Sequence, residues 1–212
     1  MRARAQSPLL LTVFGLATIG SLAAYRLFWL EHGLGRVLGL LSFGTYLAWL
    51  GWESQISVRE LGKDEASHDR GTMEMCAAAK LLTLLSAFAG GGQIRPSFTI
   101  VGLILMLSGI LLRASSIRLL GNAYSHRIRQ ADPLHDDGPY RLLRHPAYLG
   151  TLVAHAGFVL VFLNAYSLTA LLLLWTPAVV IRTVVEDRFL LGTPDYRAYA
   201  SRVRSRLLPG IW

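Results

Sequence analysis

The sequence predicts an all-α, polytopic integral membrane protein with about six transmembrane helices. Apolar residues make up 53% of the 212 residues, and Asp, Glu, Lys and Arg only 16%, against roughly a quarter in an average soluble domain. The apolar residues lie in long blocks free of charge, such as 146–181, and do not alternate with polar ones. This composition excludes a disordered chain and argues against a nucleic-acid partner.

The apolar blocks divide into helices of about 20 residues, the length that crosses a bilayer. We expect them at 8–30, 34–52, 73–91, 97–113, 147–163 and 166–190. The first requires Arg26 to snorkel to the interface, and the third contains Lys80, for which snorkelling is the default. Asn164 suits a tight turn that divides the last block into a helical hairpin. A cleaved signal peptide at 1–24 is the alternative to the first helix.

Arginines indicate the orientation, because cytoplasmic segments of membrane proteins carry the excess of Lys and Arg. Segments 113–146 and 182–212 are rich in arginine, and Arg2 and Arg4 lie at the N-terminus. We therefore expect both termini and these two segments in the cytoplasm, where they contact membrane lipid.

Charge also divides the chain into two regions. The net charge of +8 is concentrated after residue 112. The division predicts an N-terminal region of four membrane helices (1–112) and a C-terminal core (113–212) with a loop, the helical hairpin and an amphipathic end. The single cysteine, Cys76, excludes an intramolecular disulfide and a Cys-rich metal site.

Segment 113–150 differs from a passive loop. A Gly-Pro-Tyr motif at 138–140 and an Arg-His-Pro motif at 144–146 directly precede a membrane helix. Proline fixes the backbone, and Pro146 suits the first position of that helix. A helix N-terminus next to cationic side chains favours anion binding. The alternative is an arginine-rich loop that contacts anionic headgroups, with its tyrosines as interfacial anchors.

A second charged segment follows the last membrane helix. Arg182 and Glu186 are four residues apart and share one helix face where the helix leaves the lipid. An exposed ion pair there contributes little, whereas charges that face a protein interior at this depth usually serve a site. Tyr196, Tyr199 and the arginines after them predict a short amphipathic helix on the membrane.

In their order and spacing these motifs resemble the isoprenylcysteine carboxyl methyltransferase family of integral-membrane methyltransferases, whose relatives include phospholipid methyltransferases. The resemblance covers about residues 113–210. The matching residues are Leu120, Gly121, Leu134, Gly138, Tyr140, Arg144, His145, Pro146, Tyr148, Gly150, Arg182, Glu186, Gly192 and Tyr199. Asp132, His135 and Asp187 depart from the family pattern.

The resemblance implies S-adenosylmethionine as the cofactor, in a cytoplasmic pocket built from segment 113–150 and the helix end at 182–199. It implies these cofactor-binding residues: Leu134, Tyr140, His145, Pro146, Tyr148 and Glu186. We add His135 from its position beside Gly138. Arg182 is implied to be the catalytic residue that faces the substrate. The six histidines show no metal-ligand spacing, so we expect no metal.

The resemblance also implies methyl transfer to a lipophilic acceptor in the membrane, foremost the carboxylate of an isoprenylcysteine-like, lipidated substrate. A phospholipid amine and a small thiol are alternative acceptors. Two other classes are an NADPH-dependent sterol-type reductase and a membrane protein without catalytic activity. His155, within the fifth helix, either lines a route for lipid or makes an interhelical hydrogen bond, and we favour the hydrogen bond.

Overall fold

We describe the protein from a computed structural model. The structure describes residues 15, 17–60, 68–91, 93–121, 124–128 and 135–212, and in these ranges every regular element is helical. The elements are α1 (17–25, continued by a π-helical turn at Arg26–Leu30), α2 (Gly33–Glu60), α3 (Thr72–Ala89), α4 (Pro96–Leu120), α5 (Pro146–Val161), α6 (Ala165–Leu190) and α7 (Pro194–Arg202).

Four helices are long and apolar enough to cross a membrane: Gly33–Ile56, Thr72–Ala89, Pro96–Leu120 and Ala165–Leu190. Helix α4 leaves large apolar side chains such as Ile104 and Leu111 exposed, as a lipid-facing helix does. The predicted all-α membrane fold is therefore confirmed. Helix α5 is apolar but has only 16 residues, and the predicted first span lies partly outside the described residues. The count of six spans stays a prediction.

Glycines bring α4 and α5 into backbone contact. A Cβ atom at Gly109 would lie 2.3 Å from the backbone nitrogen of Ala154, and one at Gly157 would lie 2.4 Å from the carbonyl oxygen of Gly102. Such small residues let membrane helices approach closely. The sequence analysis did not single out these glycines. Their contact fixes α5, and the loop before it, against α4.

The hairpin at Asn164 is confirmed, and it separates α5 from α6. Asn164 is the N-cap of α6: its side chain accepts a hydrogen bond from the backbone N–H of Ser167, and the Ser167 hydroxyl accepts one from the N–H of Asn164. This reciprocal cap satisfies backbone donors that a helix start leaves free. Helix α6 then continues through a π-helical stretch at Leu171–Trp175.

The expected snorkelling of Arg26 is wrong. Its side chain is 1% exposed and donates a hydrogen bond to the carbonyl oxygen of Ala87. Glu31 lies 3.9 Å from its Nε, and the Phe162 ring lies 5.5 Å from its guanidinium carbon. Arg26 finds its partners inside the helix bundle, so it has no need to reach the interface.

Candidate active site

One cavity of about 630 Å³ lies between α2, α3, α4, α5, α6 and the C-terminal segment. Helix α6 supplies one continuous wall, because its lining residues recur every three or four positions: Trp175, Val179, Arg182, Glu186 and Leu190. From Trp175 to Glu186 this wall is about 16 Å long at 1.5 Å per residue. We call the part near Glu186 the outer end and the part near Trp175 the inner end.

Six of the eight predicted site residues line this cavity: His135, Tyr140, His145, Tyr148, Arg182 and Glu186. Pro146 begins α5 as predicted, but it is not among the residues that line the cavity. Leu134 lies outside the described residues, as does Asp132. Segments 113–150 and 182–199 therefore meet at this cavity. The roles of the individual residues remain predictions.

The guanidinium of Arg182 is held by protein acceptors on several sides. Its Nε donates to the hydroxyl of Tyr148 (2.9 Å), its Nη1 to the hydroxyl of Thr72 (3.0 Å), and its Nη2 to the carbonyl oxygen of His126. Nη2 also lies 3.1 Å from Oδ1 of Asp69. A guanidinium has five N–H groups, so one N–H on Nη1 has no acceptor among the residues that the structure describes.

Tyr148 links Arg182 to Glu186. Its hydroxyl accepts the hydrogen bond from Arg182 and donates one to a carboxylate oxygen of Glu186. The direct Arg182–Glu186 ion pair that the spacing suggested is wrong: the structure pairs Arg182 with Asp69. Asp69 was missed, since the segment before α3 carries no motif.

Asp187 holds the outer end together. Its Oδ1 accepts hydrogen bonds from Arg144 (2.7 Å) and Tyr196 (3.0 Å), and its Oδ2 accepts one from Arg206 (2.8 Å). Nε2 of His145 lies 3.3 Å from the same Oδ1. Asp187 thereby orients the Arg-His-Pro motif, a structural role that the sequence analysis missed. Its partners Tyr196, Arg206 and Arg144 lie 9, 19 and 43 residues away in sequence, so no local motif indicated this cluster.

Helix α7 forms where the sequence predicts it, but its tyrosines do not face the membrane. Tyr196 and Tyr199 are buried in the protein, and the Tyr199 hydroxyl donates to the carbonyl oxygens of Tyr140 (2.7 Å) and Leu143 (3.2 Å). Burial raises the pKa of the phenols of Tyr140, Tyr196 and Tyr199. These hydroxyls therefore stay protonated at neutral pH, and those of Tyr196 and Tyr199 donate hydrogen bonds.

A buried ion pair that carries no motif in the sequence also lines the cavity. Both side chains of the Arg113–Glu53 pair are 8% exposed, and Nε and Nη2 of Arg113 contact the two oxygens of Glu53. Arg113 also donates to the carbonyl oxygen of Ala147 (3.1 Å) and the hydroxyl of Tyr124 (3.2 Å). This pair ties α2, α4 and α5 together, since each helix supplies one partner.

The sequence left the roles of His155 and Lys80, both within membrane helices, open, and the structure places the two side chains differently. His155 is fully buried, and its Nε2 lies 2.9 Å from the Tyr46 hydroxyl, so the favoured interhelical hydrogen bond is confirmed. Lys80 does not snorkel. It lines the cavity, with its Nζ 6.0 Å from the centre of the Trp49 ring.

Comparison with known sequences supports the resemblance drawn from the motifs. Residues 98–193 match the family described as Phospholipid methyltransferase. Two curated relatives, both named probable protein-S-isoprenylcysteine O-methyltransferase, come from Oryza sativa subsp. indica and subsp. japonica. Each is 31% identical over 113 residues, which is 50% of this chain and 59% of the relative. The chain thus matches little more than half the length of these relatives.

A solved structure of a eukaryotic intramembrane Ras methyltransferase, the isoprenylcysteine carboxyl methyltransferase ICMT, has a similar fold. Its TM-score is 0.52 at 17% identity, and the match covers 98% of this chain and 86% of that one. At this identity the likeness concerns the fold, and it includes the N-terminal helices that the motifs do not cover. The chain is therefore similar in sequence, over about its C-terminal half, to proteins named as phospholipid and isoprenylcysteine methyltransferases, and it is similar in fold to an integral-membrane methyltransferase.

Proposed function

We propose that the protein transfers a methyl group from S-adenosylmethionine to the carboxylate of a lipophilic acceptor in the membrane. The observation that carries this proposal is the cavity that follows one face of α6 from Trp175 to Glu186. Its outer end is built from the Arg, His and Tyr motifs, and its inner end lies between membrane helices. A water-soluble cofactor can therefore enter the cavity from the aqueous side, and a membrane-dissolved acceptor can enter it from the lipid.

The outer end fits the cofactor's amino-acid group, which carries an ammonium and a carboxylate. Glu186 is an acceptor for the ammonium, and Tyr148 holds one of its oxygens in place. Nε of Arg144 is buried and has no hydrogen-bond partner among the described residues. A buried donor of this kind costs free energy unless it is bonded, so it suits the carboxylate, with His145 beside it.

S-adenosylmethionine, when bound, supplies a methyl group on a cationic sulfur. An acceptor carboxylate displaces the sulfur directly: an oxygen–carbon bond forms as the carbon–sulfur bond breaks, and no proton needs to leave. The protein therefore needs no general base. Its task is alignment and exclusion of water. Arg182 orients the acceptor through its remaining N–H, and its other bonds keep that N–H fixed.

A phospholipid amine is the second candidate acceptor, because residues 98–193 match a family described as Phospholipid methyltransferase. An amine nucleophile has less use for a neighbouring arginine than a carboxylate does, so Arg182 favours the carboxylate. The test is transfer of tritiated methyl from S-adenosylmethionine in native membranes, with the labelled product identified. A base-labile methyl ester supports the proposal, and an N-methylated lipid overturns the choice of acceptor. Binding of NADPH without S-adenosylhomocysteine overturns the reaction itself.

We propose six membrane helices with both termini and the outer end of the cavity in the cytoplasm. The arginines of segments 113–146 and 182–212 support this orientation. The measurement is labelling of single cysteines introduced at Ser7 and Ser205, in a background where Cys76 is replaced by serine. We expect a membrane-impermeant reagent to label neither site in intact cells and both after permeabilisation. Labelling of either site from outside contradicts the orientation.

A further inference from the structure

Several charged groups that line the cavity have an ion-pair partner within the protein. Glu53 pairs with Arg113, Arg144 with Asp187, and Arg182 with Asp69. These pairs neutralise one another and leave little attraction for a ligand's charge. A charged group without such a partner is therefore informative about what the cavity binds.

Lys80 is such a group. Among the residues that the structure describes, it has no hydrogen bond and no carboxylate within ion-pair distance, and its Nζ lies 6.0 Å from the centre of the Trp49 ring. Glu53 lines the same cavity, but both of its oxygens are occupied by Arg113. A cation within a membrane helix costs free energy unless it is paired.

A second polar group without a partner lies at the same end of the cavity. The Trp175 side chain is 4% exposed, and its indole N–H has no hydrogen-bond partner among the described residues. Trp175 and Lys80 both line the cavity, from α6 and α3 respectively. A cation and an N–H donor together are suited to an anion with oxygen acceptors.

The position of Lys80 separates it from Arg182. Arg182 donates to Thr72 at the start of α3, and Lys80 lies two helical turns further along the same helix, about 12 Å at 1.5 Å per residue. Lys80 is therefore at the inner end, whereas Glu186 and Arg144 are at the outer end. The outer end therefore offers the carboxylate of Glu186 to the cofactor's ammonium, and the inner end offers the cation of Lys80.

We infer that Lys80 binds the anionic group of the methyl acceptor and thereby selects a carboxylate-bearing lipid over a lipid amine. The inference rests on the proposed function for the identity of the ligand as an acceptor. The carboxylate lies between the two cations: Lys80 balances its charge from the inner side, and the N–H of Arg182 orients it on the side of the cofactor. A protonated lipid amine is repelled by Lys80, because the described residues place no free carboxylate beside it.

The test uses the full-length protein in detergent and a probe of stated chemistry, N-acetyl-S-farnesylcysteine, with its uncharged methyl ester as a comparison. Lys80→Met keeps the length of the side chain and removes its charge. We expect the Kd of the acid to rise roughly 10- to 100-fold, since a charge-assisted hydrogen bond is lost, and the Kd of the ester to stay the same. Lys80→Arg should restore most of the affinity for the acid.

Two controls separate a specific role from damage to the fold. Arg95→Met removes an exposed cation at the start of α4, outside the cavity, and should change neither Kd. The affinity for S-adenosylhomocysteine should be the same in Lys80→Met and in the unaltered protein. In turnover, Lys80→Met should raise the KM of the acid and leave kcat nearly intact.

An unchanged Kd for the acid in Lys80→Met overturns the inference, and so does an equal loss for the acid and the ester. Failure of the proposed function gives a different result. In that case the unaltered protein does not bind S-adenosylhomocysteine or methylate the acid, while the difference between acid and ester binding still reports on Lys80.

Discussion

The two ends of the cavity differ in how their charges are satisfied. At the outer end, Asp187 accepts from Arg144, Tyr196 and Arg206 and lies beside His145, and Arg182 has four acceptors, so the side chains form one network. At the inner end, Lys80 and the Trp175 indole have no such partners among the described residues. Nε of Arg144 is the exception at the outer end. We therefore expect the network of the outer end to fix geometry and the unsatisfied groups to attract a ligand.

The largest expected effect concerns the stability of the outer end. Asp187→Asn removes the charge that Arg144 and Arg206 share in a largely buried place. Breaking a buried ion pair costs about 3–5 kcal/mol, so we expect a large drop in the thermal midpoint in detergent. Asp136→Asn is the matched control, because its pair with Arg202 is 51% and 61% exposed. An equally small shift of the thermal midpoint in both variants would contradict this network.

The next effect concerns the orientation of the acceptor. Arg182→Lys cannot reproduce planar contacts with Tyr148, Thr72 and Asp69 at the same time. We expect turnover to fall roughly 10- to 100-fold, as for the loss of a charged hydrogen bond, with nearly unchanged binding of S-adenosylhomocysteine. Arg188→Lys, on the exposed side of α6, is the control. Full turnover in Arg182→Lys would make the role of Arg182 in positioning a carboxylate wrong.

A double mutant then sharpens the comparison, because Tyr148 joins Arg182 to Glu186. The losses of kcat/KM caused by Arg182→Lys and by Glu186→Gln should not add in the double mutant, because both residues act through the hydroxyl of Tyr148. Losses of turnover from Arg182→Lys and Lys80→Met should also fail to add, because both residues contact the same acceptor carboxylate. Additive losses in the first pair would show that the outer end is not one network.

The smallest effect concerns the cofactor alone. Glu186→Gln keeps the shape of the side chain and removes its charge, so the Kd of S-adenosylhomocysteine should rise roughly 10-fold, at the lower end of what a charged hydrogen bond contributes. Isothermal titration calorimetry measures this change. Glu74→Gln, an exposed acid in the first turn of α3, is the control. Undiminished affinity removes Glu186 from the cofactor site.

The sequence determined the helical membrane fold and the hairpin at Asn164. These features are local: long apolar blocks and a turn residue can each be read within a short stretch of chain. That His145 and Glu186 share a site was implied by the family resemblance of segments 113–150 and 182–199, and the structure places both residues in one cavity. His155 was also predictable, since a buried imidazole in a membrane helix needs a hydrogen-bond partner.

Only the tertiary structure decided which charges pair. Asp69 and Arg182, or Glu53 and Arg113, are far apart in sequence, and nothing local distinguishes them from other acids and arginines near a membrane boundary. The snorkelling expected for Arg26 and Lys80 failed for the same reason. Snorkelling is the default for an isolated helix in lipid, and the bundle replaces that lipid with carbonyl oxygens, aromatic rings and a cavity. Whether a buried cation is satisfied depends on its neighbours from other helices, and these are set by packing, not by sequence order.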